Sequence, residues 1–178
     1  MTRYLKWLRE DWKTSTHEHW ELENSPGLVT FSKTMQTGGY FAKGEFRLKE
    51  SYRIFNTWMG NPTKTIILKV VLDVIESDNL LENVNITGAY LKTWLNEIAT
   101  KFFALVSKVR GQGTYLAMDF PTEAVHNEFV SLMKTKGVAS GGCGSNSVRF
   151  RSSLVFQPKH AAEYLDKMHE ICKVLVTA

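Results

Sequence analysis

Beyond Asn61 the chain alternates between helical and strand-like hydrophobic patterns, and this alternation limits the folds that it can adopt. Asn61 followed by Pro62 is typical of a helix start, because asparagine caps free N–H groups and proline suits the first helical position. Apolar residues then recur at helical spacing from Ile66 to Ile75. A second, longer helix is predicted over about residues 78–103. Its apolar stripe consists of Leu91, Leu95, Ile98 and Phe102.

The rest of this region adds short strands to the helices. Residues 109–119 predict a strand, a glycine turn and a second strand, and residues 148–156 predict a further strand. Helices are predicted around residues 125–133 and 161–175. Helices and strands that alternate in this way favour an α/β fold with a small layered domain.

Residues 17–60 have a different character, with few long periodic stretches and many residues of special backbone or side-chain chemistry. These are His17, His19, Pro26, Gly27, Gly38, Gly39 and Gly60. Their density suggests loops and short strands around a site. We place the domain boundary near residues 61–76, which divides the chain into a start of 1–16, a segment of 17–76 and a domain of 77–178.

Composition and residue spacing exclude several classes of function. The net charge of +4 comes from Lys and Arg scattered among acids, without the basic, aromatic-containing stripe that nucleic-acid binding requires. No apolar run approaches the roughly 18 residues of a membrane span. Cys143 and Cys172 form neither a disulfide framework nor a zinc pair, which favours a reduced intracellular compartment. His17, Glu18 and His19 are consecutive and cannot easily converge on one ion, so we predict no metal site.

Five short motifs occur in a fixed order along the chain. They are His17-Glu-His-Trp20, Thr30-Phe-Ser-Lys33-Thr-Met-Gln-Thr-Gly-Gly39, Phe55-Asn-Thr57-Trp-Met-Gly60, Val109-Arg-Gly-Gln-Gly-Thr114, and Gly141-Gly-Cys-Gly144 leading to Val148-Arg149-Phe-Arg151. In this order and at these separations they resemble the carboxy-terminal half of the class III, fold-type I pyridoxal-phosphate aminotransferases. Within that class they are most similar to the animal-type 4-aminobutyrate aminotransferases. The resemblance implies that residues 17–76 are the end of the large cofactor domain and that residues 77–178 are the small α/β domain.

Lys33 has two interpretations. From its neighbours alone it is a surface lysine at the end of a strand. The resemblance identifies it with the lysine whose amine forms a Schiff base with the cofactor, pyridoxal 5'-phosphate. Such an amine must lose its proton to attack, which a partly desolvated site makes easier. The free amine can then carry a proton between the substrate carbon and the cofactor, and Gly38 and Gly39 allow the backbone to turn sharply beside it.

Thr57 is, on local grounds, a loop hydroxyl that caps a turn. The resemblance identifies it with the threonine that hydrogen-bonds the cofactor phosphate of the partner subunit, a role for which a hydroxyl donor is suitable. The implied active site is therefore complete only in a homodimer.

Arg149 and Arg151 flank Phe150, so in a strand both point to one face. Two such arginines are most often a solvated sheet edge. The resemblance places on Arg149 the arginine near the substrate carboxylate, where a planar guanidinium can make two parallel hydrogen bonds. The glutamate with which that arginine pairs in many members lies upstream of this chain. We interpret Arg151 as structural.

Residues 1–16 do not match the family. The glycine-rich phosphate loop, the aromatic residue that stacks on the pyridine ring and the acid that pairs with its nitrogen all lie before the position of His17 in the family. Asp11 is the only aspartate in residues 1–16, and its sequence context does not fit. Without the ring-nitrogen partner the cofactor is a weaker electron sink. We therefore expect a fragment or truncated isoform that is inactive alone.

For the complete protein the resemblance implies transfer of the amino group of 4-aminobutyrate to 2-oxoglutarate, which gives succinate semialdehyde and glutamate. The partners are then small amino and 2-oxo acids. The animal members imply a mitochondrial matrix location, with the cytoplasm as the other possibility. One alternative is another ω-amino acid substrate, such as ornithine or β-alanine. A second alternative is a non-catalytic subunit that docks on a full-length partner.

Overall fold

The computed structural model describes residues 23–24, 26–55 and 57–177. The chain divides into two compact units, the first ending at Asp78 and the second running from Asn79. The predictions made for residues 1–16 and for His17, Glu18 and His19 lie outside the described residues. None of the described helices has the length and apolar character that a membrane crossing requires.

The first unit contains a β-hairpin that carries the lysine motif. Strands β1 (Leu28–Phe31) and β2 (Gly39–Ala42) pair antiparallel, with Phe31 opposite Gly39. A short 3-10 turn, Lys33–Met35, lies in the connection between them. Met35 is only 2% exposed, and the turn contacts the helix Pro62–Ser77 that follows. A second 3-10 turn, Gly44–Phe46, follows β2.

Helix α1 (Pro62–Ser77) begins as predicted. The Asn61 side chain accepts a hydrogen bond from the Thr63 N–H at 2.9 Å, and Pro62 occupies the first helical position. Only part of the apolar face of α1 is buried within the unit. Ile75 is its buried residue. The exposed apolar residues of α1 are Ile66, Ile67, Val70 and Val74.

The second unit packs three helices against a four-stranded antiparallel sheet. Its elements are α2 (Leu80–Lys101), β3 (Ser107–Gln112), β4 (Tyr115–Asp119), α3 (Glu123–Thr135), β5 (Gly141–Cys143), β6 (Ser147–Arg149) and α4 (Pro158–Thr177). The strand order is β3-β4-β6-β5. The α/β prediction is therefore confirmed, and the predicted stripe of α2 is buried in the core.

The prediction of one strand over residues 148–156 is wrong. The strand ends at Arg149, and the backbone N–H of Phe150 then donates to the Leu116 carbonyl at 2.8 Å. Beyond it, the Asn83 side-chain amide donates to the carbonyls of Leu154 and Phe156 at 2.8 and 2.9 Å. These two bonds from α2 hold the segment away from the sheet. Strand β5, which the sequence did not predict because two of its three residues are glycine, pairs with β6 instead.

Gly88 of α2 packs directly against the turn of the β3–β4 hairpin. A Cβ at Gly88 would lie 2.4 Å from the backbone carbonyl carbon of Gly113. We expect Gly88→Ala to destabilise the chain by about 1–2 kcal/mol, because a clash with backbone outweighs the roughly 1 kcal/mol of helix propensity that alanine gains. Urea unfolding measures the change. Gly44→Ala is the matched control, since nothing lies within 4 Å of its added Cβ. A Gly88→Ala protein as stable as the wild type would contradict the close contact.

Candidate active site

Lys33 lies in a strained part of the backbone. It is the first residue of the 3-10 turn after β1, and its φ of 59° is in the left-handed region that residues with a Cβ rarely adopt. The Gln36 N–H closes the turn by donating to the Lys33 carbonyl at 2.7 Å. Strain of this kind often occurs at functional sites, where the surrounding structure holds it in place.

The side chain of Lys33 is exposed. The described residues therefore do not supply the partly desolvated setting that the sequence led us to expect. The reason is geometric: the hairpin presents Lys33 at a turn between two four-residue strands, while Met35 of the same turn is buried. Among the described residues, the Lys33 side chain is therefore accessible to a molecule that binds there.

Thr57 lies in an exposed turn that leads into α1. The turn continues to Gly60, whose φ of 79° is left-handed, and the Asn61 N–H donates to the Trp58 carbonyl at 3.2 Å. The Thr57 hydroxyl is exposed, and so are the large apolar side chains of Phe55, at 83%, and Trp58, at 64%. Large exposed apolar side chains beside a polar donor are typical of a surface that binds another protein or a ligand.

Arg149 is the last residue of β6 and is half-buried. Its neighbours across the sheet are Ala117 on β4 and Gly141 on β5, so no large side chain lies beside it. Val148 points to the opposite face and is buried in the core. Within the described part of the chain, no hydrogen bond or ion pair engages the guanidinium of Arg149.

Arg151 lies beyond the end of the strand and is exposed. Buried Phe150 separates it from Arg149, and both arginines line a cleft of about 520 Å³ whose wall includes Ser140 and Tyr164. The described residues provide no hydrogen bond or ion pair to its side chain, so the structural role that we gave Arg151 has no contact to support it. Burial raises the pKa of the Tyr164 phenol, although the phenol hydrogen-bonds Ser140 at 2.9 Å.

Sequence reasoning did not single out a polar cluster on the same sheet face as Arg149. We call it the Asp119 clamp, and it consists of Arg110, Asp119 and Ser147. Ser147 Oγ donates to Asp119 Oδ1 at 2.5 Å, and Arg110 Nη2 lies 2.8 Å from the same oxygen. Arg110 Nη2 also donates to Ser147 Oγ at 3.3 Å. The sequence did contain one indication of this cluster: Arg110 belongs to the 109–114 motif, and Asp119 ends the predicted hairpin.

The clamp keeps Asp119 ionised. Burial raises the pKa of its carboxyl, but the hydrogen bonds from Ser147 and Arg110, with the charges of Arg110 and Lys108, outweigh burial and leave the pKa below its ordinary value. A carboxyl whose pKa is lowered on folding stabilises the protein above its ordinary pKa. That stabilisation is lost as the pH falls through the lowered value of the folded state.

The predicted site residues are therefore divided between the units: Lys33 and Thr57 belong to the first, and Arg149 belongs to the second. Among the described residues, no group of three or more His, Cys, Asp or Glu side chains could hold a metal ion.

Comparison with known proteins places the chain in one family. The family model described as aminotransferase class-III matches residues 13–172. A 4-aminobutyrate aminotransferase of Dictyostelium discoideum is 46% identical over 159 residues, which are 89% of this chain and 32% of that protein. A mitochondrial 4-aminobutyrate aminotransferase of Homo sapiens is 42% identical over 155 residues, which are 87% of this chain and 31% of that protein. The chain thus spans about a third of the length of these relatives.

A solved structure supports the same relationship. A lysine aminotransferase from M. tuberculosis is 28% identical, with a TM-score of 0.79, over 88% of this chain and 37% of that one. The similarity extends over most of the described helices and strands, so the fold is that of part of a fold-type I enzyme.

Proposed function

The chain belongs to the class III aminotransferase family, and on that premise we propose that the complete protein transfers the amino group of 4-aminobutyrate to 2-oxoglutarate. The products are succinate semialdehyde and glutamate. Two relatives named for 4-aminobutyrate, at 46% and 42% identity, support this substrate. The observation that carries the proposal is Lys33, an exposed primary amine held in a left-handed turn between two strands.

The side chains present fit pyridoxal 5'-phosphate. The exposed amine of Lys33 can bond covalently to the aldehyde of the cofactor, and the exposed hydroxyl of Thr57 can donate to its phosphate. When bound, pyridoxal phosphate supplies an electron sink that stabilises negative charge at the substrate carbon. Lys33, once its amine is free, would take the proton from that carbon and pass it to the cofactor.

Arg149 binds the carboxylate of the substrate in this proposal. Its guanidinium has no partner within the described chain. The residues paired with Arg149 in the sheet are Ala117, whose side chain is small, and Gly141, which has none, and they leave room for a carboxylate. Two parallel hydrogen bonds from a planar guanidinium fix both the position and the orientation of the bound group. Arg149 therefore orients the substrate, and Lys33 moves its proton.

The proposal includes a homodimer in which Thr57 acts on the cofactor of the partner subunit. The exposed Phe55 and Trp58 beside Thr57 support this, because large apolar side chains at a surface favour contact with another protein. A mitochondrial location is proposed from the animal relative, which is named as mitochondrial.

The alternative is that the preferred amino donor is another ω-amino acid instead of 4-aminobutyrate. The similarity to a lysine aminotransferase at 28% identity favours it, and Arg149 would bind a carboxylate in either case. Initial rates with 4-aminobutyrate, lysine, ornithine and β-alanine distinguish the two, and the proposal requires 4-aminobutyrate to be the preferred donor.

Covalent labelling tests the assignment of Lys33. The chain is joined, from residue 17, to the upstream region of the Dictyostelium relative, because the match covers 32% of that protein. The enzyme is loaded with pyridoxal phosphate, reduced with borohydride to make the lysine linkage permanent, and mapped by peptide mass spectrometry. We expect the label on Lys33. Label on the nearby exposed Lys43 or Lys49 would refute the assignment.

A further inference from the structure

The Asp119 clamp lies next to Arg149 on the same face of the sheet, with one residue pair between them in the pairing of β4 with β6. Asp119 is opposite Ser147, and Ala117 is opposite Arg149, in the pairing of β4 with β6. Side chains two residues apart in a strand share a face, so Asp119 and Arg149 are diagonal neighbours. Diagonal neighbours are about 7–8 Å apart at Cα, within reach of a long side chain such as arginine.

An unrestrained Asp119 would be an internal competitor for Arg149. Its carboxylate would pair with the guanidinium and occupy the donors that a substrate carboxylate needs. In the structure the carboxylate is engaged elsewhere: Ser147 Oγ and Arg110 Nη2 bind Oδ1 at 2.5 and 2.8 Å, and Lys108 Nζ lies 3.7 Å from Oδ2. Only 11% of the Asp119 side chain is exposed, so these contacts surround it.

The shape of β3 makes this engagement possible. The pairing of β3 with β4 is irregular between Ser107 and Arg110, and Lys108 between them has a left-handed φ of 50°. Such bulges redirect side chains, and they occur often beside functional sites. Here Lys108 and Arg110 both reach the carboxylate of Asp119, and Arg110 is held further by its donation to the Lys108 carbonyl at 2.9 Å.

We propose that Arg110 and Ser147 are positioning residues that sequester the carboxylate of Asp119 and so keep Arg149 free to bind a carboxylate substrate. The inference rests on the proposed role of Arg149. Of the three basic residues Lys108, Arg110 and Arg149 on this part of the sheet, the first two are committed to Asp119. Arg149 is the one that has no acidic partner among the described residues.

The test measures binding of glutarate, a five-carbon dicarboxylate, to the full chain by NMR titration. The Nε–Hε signal of Arg149 is identified by its loss in Arg149→Lys. Arg110→Gln should weaken glutarate binding about tenfold, the size of one charge-assisted hydrogen bond. The double variant Arg110→Gln, Asp119→Asn should return to within about twofold of the wild type, because the neutral amide no longer competes. A purely structural role would instead make the double variant worse than the single one.

Two further comparisons make each outcome decisive. Lys134→Gln on α3 removes one exposed positive charge away from the clamp and should leave binding unchanged. Ser147→Ala, alone and with Asp119→Asn, repeats the design if Arg110→Gln alters the fold. Equal binding by wild type and Arg149→Lys would overturn the role of Arg149, and the sequestration with it. Loss in Arg149→Lys, without loss in Arg110→Gln or without recovery in the double variant, would overturn the sequestration alone.

Discussion

Replacing Lys33 with alanine is expected to reduce turnover of 4-aminobutyrate with 2-oxoglutarate by at least about 10²–10⁴-fold, the usual contribution of a positioned acid–base group. The loss follows because the amine both holds the cofactor and moves the substrate proton in the proposed function. The enzyme used is the one that joins residue 17 onward to the upstream region of the Dictyostelium relative. Initial rates are measured under saturating pyridoxal phosphate. The loss of turnover then cannot be explained by weaker cofactor binding alone.

Two variants separate charge from chemistry at Lys33. Lys33→Arg keeps the positive charge, but a guanidinium stays protonated and cannot attack the cofactor, so it should be as inactive as Lys33→Ala. Lys43→Ala removes an exposed lysine just after β2 and should retain activity. Turnover by Lys33→Ala within tenfold of the wild type would show that another residue carries the proton.

In the same enzyme, Arg149→Lys is expected to lower catalytic efficiency roughly ten- to hundredfold. Lysine keeps the charge but replaces the two-pronged guanidinium with a single mobile ammonium. The loss of a charge-assisted hydrogen bond costs on the order of 1.5–3 kcal/mol, and about 1.4 kcal/mol corresponds to a factor of ten. The ratio kcat/KM for 4-aminobutyrate measures the change.

Arg151→Lys is the internal control for this prediction. Arg151 lines the same cleft but is exposed and lies beyond the end of β6, where the backbone is not fixed by the sheet. Its replacement should change kcat/KM much less than Arg149→Lys does. If Arg151→Lys is the more damaging while both proteins remain folded, Arg149 is not the residue that binds the substrate carboxylate.

Helices could be predicted because their signals are local. The cap at Asn61 and the proline after it determine where α1 begins, whatever packs against the helix. The stripe of α2 repeats every three or four residues, and one face of a helix must then be apolar. The family could be recognised for a related reason, since the motifs are short stretches of sequence, and the match to residues 13–172 confirms it.

Strand ends could not be predicted in the same way. Residues 148–156 have the alternation of a strand, but Asn83, more than seventy residues earlier, binds the carbonyls of Leu154 and Phe156 and removes them from the sheet. Strand β5 contains two glycines and has no propensity to form a strand. It exists because β6 offers it unpaired backbone groups.

By itself, the sequence determined the helices, the α/β class and the family, because each depends on residue type and short-range spacing. It also singled out Lys33, Thr57 and Arg149 as candidate site residues, and their roles remain predictions. Only the tertiary structure decided the left-handed backbone of Lys33 and the Asp119 clamp. A lysine with a Cβ gives no local indication of a positive φ, which its surroundings must impose. Asp119 and Ser147 are 28 residues apart, and the register of β4 with β6 alone brings the carboxylate onto the hydroxyl beside Arg149.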